Sequence, residues 1–202
     1  METKRQFYDI ADLDLYGSKI YGMDLTQYIQ QGTGEINRIG DTITNVFARV
    51  SATWSWTGLQ SGTTRIWQGG NVRLMLVKTP QALTGLSINV LSDITSQVSD
   101  MFLNQVQTVN SFHDVTSPFK ILAQKWIHSA QTTDVSGNAG DTHMGFLSKQ
   151  LTKKHQYLDG SGNQTGRTYN YYLFATSSAP LAGSSDLLGK LQTSAVVSYK
   201  DA

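Results

Sequence analysis

Gln31-Gly32-Thr33-Gly34-Glu35-Ile36-Asn37-Arg38-Ile39-Gly40-Asp41-Thr42-Ile43 is the stretch on which the reading of this chain turns. Gly32, Gly34 and Gly40 permit backbone conformations with positive φ, so the segment reads as a tight turn. It feeds directly into the longest alternating run in the sequence. Val46, Ala48, Val50, Ala52, Trp54 and Trp56 fall on one face, and Asn45, Arg49, Ser51, Thr53 and Ser55 on the other. That period of two predicts a half-buried antiparallel strand over 43–56, with Trp54 and Trp56 packed in the core. At about 3.3 Å per residue such a strand reaches roughly 40 Å, enough to span a domain and to need a bend or bulge on the way. Arg38 in the turn is expected to tie loop carbonyls, or a carboxylate such as Glu35 or Asp41, rather than to hold a ligand.

Upstream, 6–10 and 11–15 read as strand, and 24–29 as a second piece leading into the turn. Downstream, the glycine-rich 57–71 reads as a long surface loop, and 72–79 as a central strand, apolar on both faces and stopped by Pro80. Ile94, Val98, Met101 and Phe102 follow helical spacing, with Ser92 as N-cap, and predict one short helix over 92–103. Strands are then expected at 119–128, 143–157, 169–176 and 191–199, with turn-forming segments at 132–141 and 159–166. Seven or eight strands with long connections predict an all-β, single jelly-roll antiparallel sandwich of two four-stranded sheets over residues 1–202, with one short helix in a long connection. An immunoglobulin-like sandwich, which uses shorter connections, is the alternative.

The composition narrows the function. Cysteine is absent, so neither disulfides nor thiolate metal sites are expected. Sixteen basic residues against fifteen acidic ones give a net charge of +1, whereas a domain that holds nucleic acid by charge alone needs a clear basic excess. No apolar run approaches the roughly twenty residues of a membrane span, so a soluble protein with no membrane partner is expected. The first residues, Met1 to Gln6, carry no signal or transit pattern.

No catalytic constellation emerges. His113, His128, His143 and His155 are widely separated, form no metal-ligand pair, and are expected at the surface or in loops. The carboxylates are scattered, so no acid–base pair is nominated, and no metal or cofactor is expected. An Asp-rich calcium site between loops or subunits stays open, without supporting spacing. The run 161–168 imitates a phosphate loop, but its first glycine is Ser161, its lysine is Arg167, and an aromatic strand follows where a helix is needed. Asn163-Gln164-Thr165 matches the glycosylation pattern without a secretory signal. Trp67 and Tyr16 lie in expected loops and are candidate contact residues for a ligand or a neighbouring subunit. Lys153-Lys154 and Lys4-Arg5 are read first as solvated charge.

The order of several of these segments resembles a known family. Gln31-Gly32-Thr33-Gly34, then Asn37-Arg38-Ile39-Gly40-Asp41-Thr42-Ile43, the long strand, Arg73-Leu74-Met75-Leu76-Val77, Phe119-Lys120-Ile121-Leu122 and the closing Ser198-Tyr199-Lys200-Asp201 resemble the capsid proteins of small circular Rep-encoding single-stranded DNA viruses. Asp41 stands where the family has Asn, and Lys78-Thr79-Pro80-Gln81 where it has an aspartate before its turn, so no role is carried over at those positions. The resemblance implies a non-enzymatic capsid subunit, found in the virion and in the host nucleus or cytoplasm during assembly. Its partners would be further copies in an icosahedral shell, a single-stranded DNA genome and an unidentified host receptor. The family's basic arm is represented here only by Lys4 and Arg5, which are the expected nucleic-acid-binding residues and would face the shell interior. A carbohydrate-binding jelly roll using Trp67 is the alternative, and an enzyme on a sandwich scaffold ranks below it.

Overall fold

The computed structural model describes residues 2–34, 37–56, 59–61, 64–66, 69–103, 111–129, 142–158, 167–179, 183 and 185–202. Its strands are β1 (Thr3–Tyr16), β2 (Ile20–Asp24), β3 (Thr42–Trp56), β4 (Leu59–Ser61), β5 (Thr64–Ile66), β6 (Gly70–Thr79), β7 (Ser92–Asp93), β8 (Lys120–Ser129), β9 (Thr142–Gln156), β10 (Asn170–Ser178) and β11 (Leu187–Asp201). One sheet runs β1-β11-β3-β9 and the other β7-β2-β10-β6-β8, all antiparallel. Removing the two-residue β7 leaves the four-plus-four arrangement of a jelly roll, so the chain is an all-β jelly-roll sandwich.

The alternation in β3 does what its period demands. Val46, Ala48, Val50, Ala52, Trp54 and Trp56 are all buried between the sheets. Trp54 and Trp56 meet edge to face with ring centroids 5.4 Å apart, the arrangement favoured by the ring quadrupoles. The strand carries a register shift between Val46 and Phe47, beside Asn45 with φ of 51°, so its length is accommodated by a bulge. The runs 6–10 and 11–15 join into one strand, β1, with a register shift between Ile10 and Leu13. The second strand is not at 24–29 but at Ile20–Asp24; beyond it, Asp24 caps the next turn by accepting from the backbone N–H groups of Thr26 and Gln27, both at 2.8 Å.

In the second sheet, β2, β10 and β6 are covered on both faces, while the edge strand β8 is partly exposed. Leu74, Leu76, Leu173 and Ala175 face the core shared with the other sheet. Met75, Val77, Tyr172 and Phe174 face a second apolar layer with Leu83, Ile94, Val98, Met101, Phe102 and Phe119 from the connection between β6 and β8. Double burial explains why β6 and β10 read as nearly continuous apolar runs.

Among its described residues that connection contains no α-helix. Two 3-10 turns, Thr95–Gln97 and Ser99–Met101, replace the helix predicted over 92–103. The apolar spacing was a burial pattern: Ile94, Val98, Met101 and Phe102 are indeed inside. The polar residues between them, however, bond locally. Asp93 Oδ1 accepts from the Thr95 N–H at 3.0 Å and from the Thr95 hydroxyl at 2.7 Å, and Ser92 pairs in β7 with Gly22 instead of capping a helix. The 57–71 loop also carries structure, since β4 and β5 pair within it as a hairpin.

Gly189 in β11 has φ of +152°, and a Cβ built there would stand 2.2 Å from the Ser55 carbonyl oxygen. Backbone cannot yield as a side-chain tip does. Gly189→Ala is expected to destabilise the fold by about 1–3 kcal/mol, read as a lowered urea midpoint with unchanged slope.

Candidate functional site

The two predicted contact residues part company in β1, because neighbouring strand residues point to opposite faces. Lys4 is turned inward, with its side chain 9% exposed. Its ammonium lies 2.9 Å from Asp201 Oδ2 and donates to the Asn37 carbonyl, while Asp201 Oδ1 accepts from the Ile39 N–H at 2.9 Å. Lys4 thus ties the end of β11 to the glycine-rich turn. Arg5 is exposed, opposite Ser198 in the ladder.

Cross-strand register places Arg5 in company that its sequence neighbours did not reveal. Across β1-β11-β3-β9, one row runs Arg5, Ser198, Phe47, Gln150, and the next on the same face Phe7, Val196, Arg49, Ser148. The Arg49 guanidinium carbon is 5.6 Å from the Phe47 ring centroid. Further along the face, Ser51 and Ser194 share a 2.8 Å hydrogen bond, and Phe146 and Met144 stand exposed. Neither Arg5 nor Arg49 has a carboxylate partner among the described residues. The face is therefore largely polar and studded with rings, with the Arg5 and Arg49 guanidinium groups towards one end and the exposed Asp9, Asp12 and Asp14 of β1 towards the other. Alternation alone already put Arg49 on the solvent side of β3. Its approach to Arg5 required the register.

At one end of the sandwich a second polar group is sealed inside. Arg167 donates from both terminal nitrogens to the two Asp24 carboxylate oxygens at 2.8 Å, and both side chains are almost fully buried. Around this pair, the Tyr8 hydroxyl donates to the Leu25 carbonyl at 2.7 Å and the Tyr157 hydroxyl to the Thr26 carbonyl at 3.0 Å. Burial pushes both phenols above their ordinary value. Arg38 lies 4.0 Å above the Tyr157 ring centroid and donates to the Gly40 carbonyl and, at 3.4 Å, to Asp41. The anchoring role expected of Arg38 is thus met through Gly40 and Asp41, while Glu35 lies outside the described residues.

His155 departs from expectation. Instead of lying at the surface, it is buried edge-on against Tyr157 and Tyr171, with centroid distances of 4.7 and 5.5 Å. Its pairing with Ile43 in the ladder points it to the core, which the irregular lysine-rich sequence around it concealed. Burial above all, then the charges of Arg167 and Arg38, lower its pKa from 6.5 to about 3. Of the others, His128 is exposed beside Asn71, His113 meets the Phe119 carbonyl, and His143 is half-buried. Among the described residues, no three His, Cys, Asp or Glu side chains gather to hold a metal ion.

Arg73 is likewise internal. It donates to Gln124 Oε1 at 2.6 and 3.1 Å and to the Ser111 carbonyl at 2.9 Å, and burial lowers its pKa to about 10. A depression of about 530 Å³ lies where β6 and β8 begin to diverge, lined by Lys78, His113, Lys120 and Tyr169 among others, with Lys78 Nζ 3.9 Å from the Tyr169 ring centroid. Tyr16 ends β1, half-buried beneath Lys19. Trp67, on which the carbohydrate-binding alternative rested, lies outside the described residues.

No family model matches the chain, and no curated protein matches it. Among solved structures, the BFDV capsid protein in its 60-mer form aligns over 99% of this chain and 92% of that one, at 9% identity and a TM-score of 0.29. A likeness this distant carries no functional argument.

Because His155 is buried neutral while its unfolded counterpart titrates near 6.5, protons favour the unfolded chain below that pH. Stability is expected to be fully present above about pH 7.5. Between about pH 6.5 and 5, above the carboxylate range, it should fall by up to about 1.4 kcal/mol per pH unit. Chemical denaturation across that window checks the slope, which His155→Phe should flatten. In a separate measurement, Arg167→Met strands the Asp24 carboxylate and should destabilise by about 3–5 kcal/mol, with Asp24→Asn in the same chain recovering part of the loss.

Proposed function

We propose that residues 1–202 act as one coat domain, many copies of which self-assemble into an icosahedral shell around a single-stranded DNA genome. The protein's place is then the virion, and its work is association rather than catalysis. The observation that carries this reading is the sidedness of the jelly roll. Strands β2, β10 and β6 of one sheet lie under the connection between β6 and β8, whereas among the described residues the outer face of β1-β11-β3-β9 exposes Arg5, Phe7 and Arg49. The resemblance of the turn, the long strand and the closing segment to circular single-stranded DNA virus capsid proteins supports the same reading.

The Arg5–Arg49 end of this face, away from Asp9, Asp12 and Asp14, suits the genome. Arg5 and Arg49 supply charge for phosphates, and Phe7 and Phe47 supply rings on which unpaired bases stack irrespective of sequence. Lys4, held by Asp201 and Asn37, would contribute field and register rather than direct contact. Two exposed guanidinium groups make few phosphate contacts, so affinity for DNA should be low unless many copies act together.

Size exclusion and negative-stain microscopy across salt and pH test the assembly: closed particles are expected, and a protein that never exceeds a small oligomer overturns the reading. For the genome face, single-stranded oligonucleotide binding should weaken with salt at a shallow log–log slope, about 0.7 per phosphate contact. Arg5→Ala with Arg49→Ala should flatten that slope further; an unchanged slope would place the contacts elsewhere.

A further inference from the structure

The overall charge of +1 conceals a polarised distribution. β8 and β9 are the edge strands of their sheets and pack against one another, forming one side of the sandwich. Together they carry Lys120, Lys125, Lys149, Lys153 and Lys154, all exposed, and not one Asp or Glu. None of these lysines is in an ion pair among the described residues. Repulsion is built in: Lys120 faces Lys78 directly across the ladder, and Lys153 adjoins Lys154.

The opposite edge of the first sheet is β1, whose exposed Asp9, Asp12 and Asp14 are equally without an ion pair among the described residues. Asp12 accepts from Gln192 at 3.3 Å. Lys190 lies beside Asp14 in the ladder, which still leaves this stretch with an acidic excess. One copy thus presents a cationic edge on one side and an anionic edge on the other.

We propose that the partner of each edge is a second copy of this chain, the lysine edge of one subunit seating against the aspartate edge of β1 in the next. The proposal rests on the coat-subunit reading above and assigns it a contact surface. Because the two edges are different patches on opposite sides, the contact is heterologous and propagates from copy to copy, as a closed ring or shell requires. Opposite charge both speeds encounter and fixes which edges meet. Lysines on a bare edge strand also discourage unwanted strand addition. That role is indifferent to sign and needs no aspartates on the far edge.

Charge reversal separates these possibilities. In sedimentation velocity at about 50 mM salt, where screening is weak, Lys149→Glu/Lys153→Glu/Lys154→Glu should lose association by at least tenfold, as should Asp9→Lys/Asp12→Lys/Asp14→Lys. An equimolar mixture of the two variants, one with both edges acidic and one with both basic, should associate again, as should a chain carrying all six changes. Thermal melting verifies folding, and the milder Asp9→Asn/Asp14→Asn pair replaces the triple reversal if that variant does not fold. Wild-type protein that assembles while every variant assembles equally well overturns this contact but leaves the coat-subunit reading standing. Wild-type protein that stays monomeric overturns both. Lysine variants that assemble normally but lose binding to a single-stranded oligonucleotide overturn the contact and make the edge a nucleic-acid surface.

Discussion

The Asp24–Arg167 pair is the constraint around which one end of this sandwich is arranged. Withdrawing two charges from water costs several kcal/mol per ion, and attraction offsets that only when geometry is good and the remaining lone pairs are occupied. Here they are: the Asp24 carboxylate takes both Arg167 nitrogens and the N–H groups of Thr26 and Gln27. The turn that this fixes then offers its carbonyls to Tyr8 from β1 and to Tyr157 just beyond β9. The two edge strands of one sheet are thereby bound to a turn that leaves the other. Apolar burial holds the sheets face to face, and this polar group sets how their ends meet.

Much of the architecture could be read from period alone. The long strand, the buried tryptophans and the doubly apolar β6 followed from where apolar residues recur, since a half-buried strand and a covered one leave different patterns. The 92–103 segment misled because an apolar repeat of helical spacing records burial, while Asp93 and Thr95 decided the backbone through local hydrogen bonds. Arg167 illustrates a different limit. In the sequence it belongs to a false phosphate loop, and nothing within that loop points to Asp24, more than a hundred residues upstream. Buried ion pairs between distant segments leave no local signature.

The candidate surface was legible in halves. The resemblance marks Arg5 and the alternation of β3 puts Arg49 on its outer side, yet the two share a face only through the β11 register that lies between them. Lys4 and Arg5, adjacent and alike in the sequence, perform different tasks because a strand sends consecutive side chains in opposite directions. One locks the end of β11 and the other meets solvent.

The pairing of β1 with β11 has a consequence for how the molecule comes into being. Thr3 lies opposite Lys200, so β1 finds its neighbour only once β11, almost two hundred residues further along, has been made. Until then β3 lacks a partner on one side and β1 has none in its sheet. Contacts so far apart in the chain form slowly, and the nascent polypeptide carries unpaired strand edges throughout translation. On the lysine-bearing strand β9, charge already guards one such edge. For the rest, the unpaired edges stay open to aggregation until β11 is made and closes the sheet.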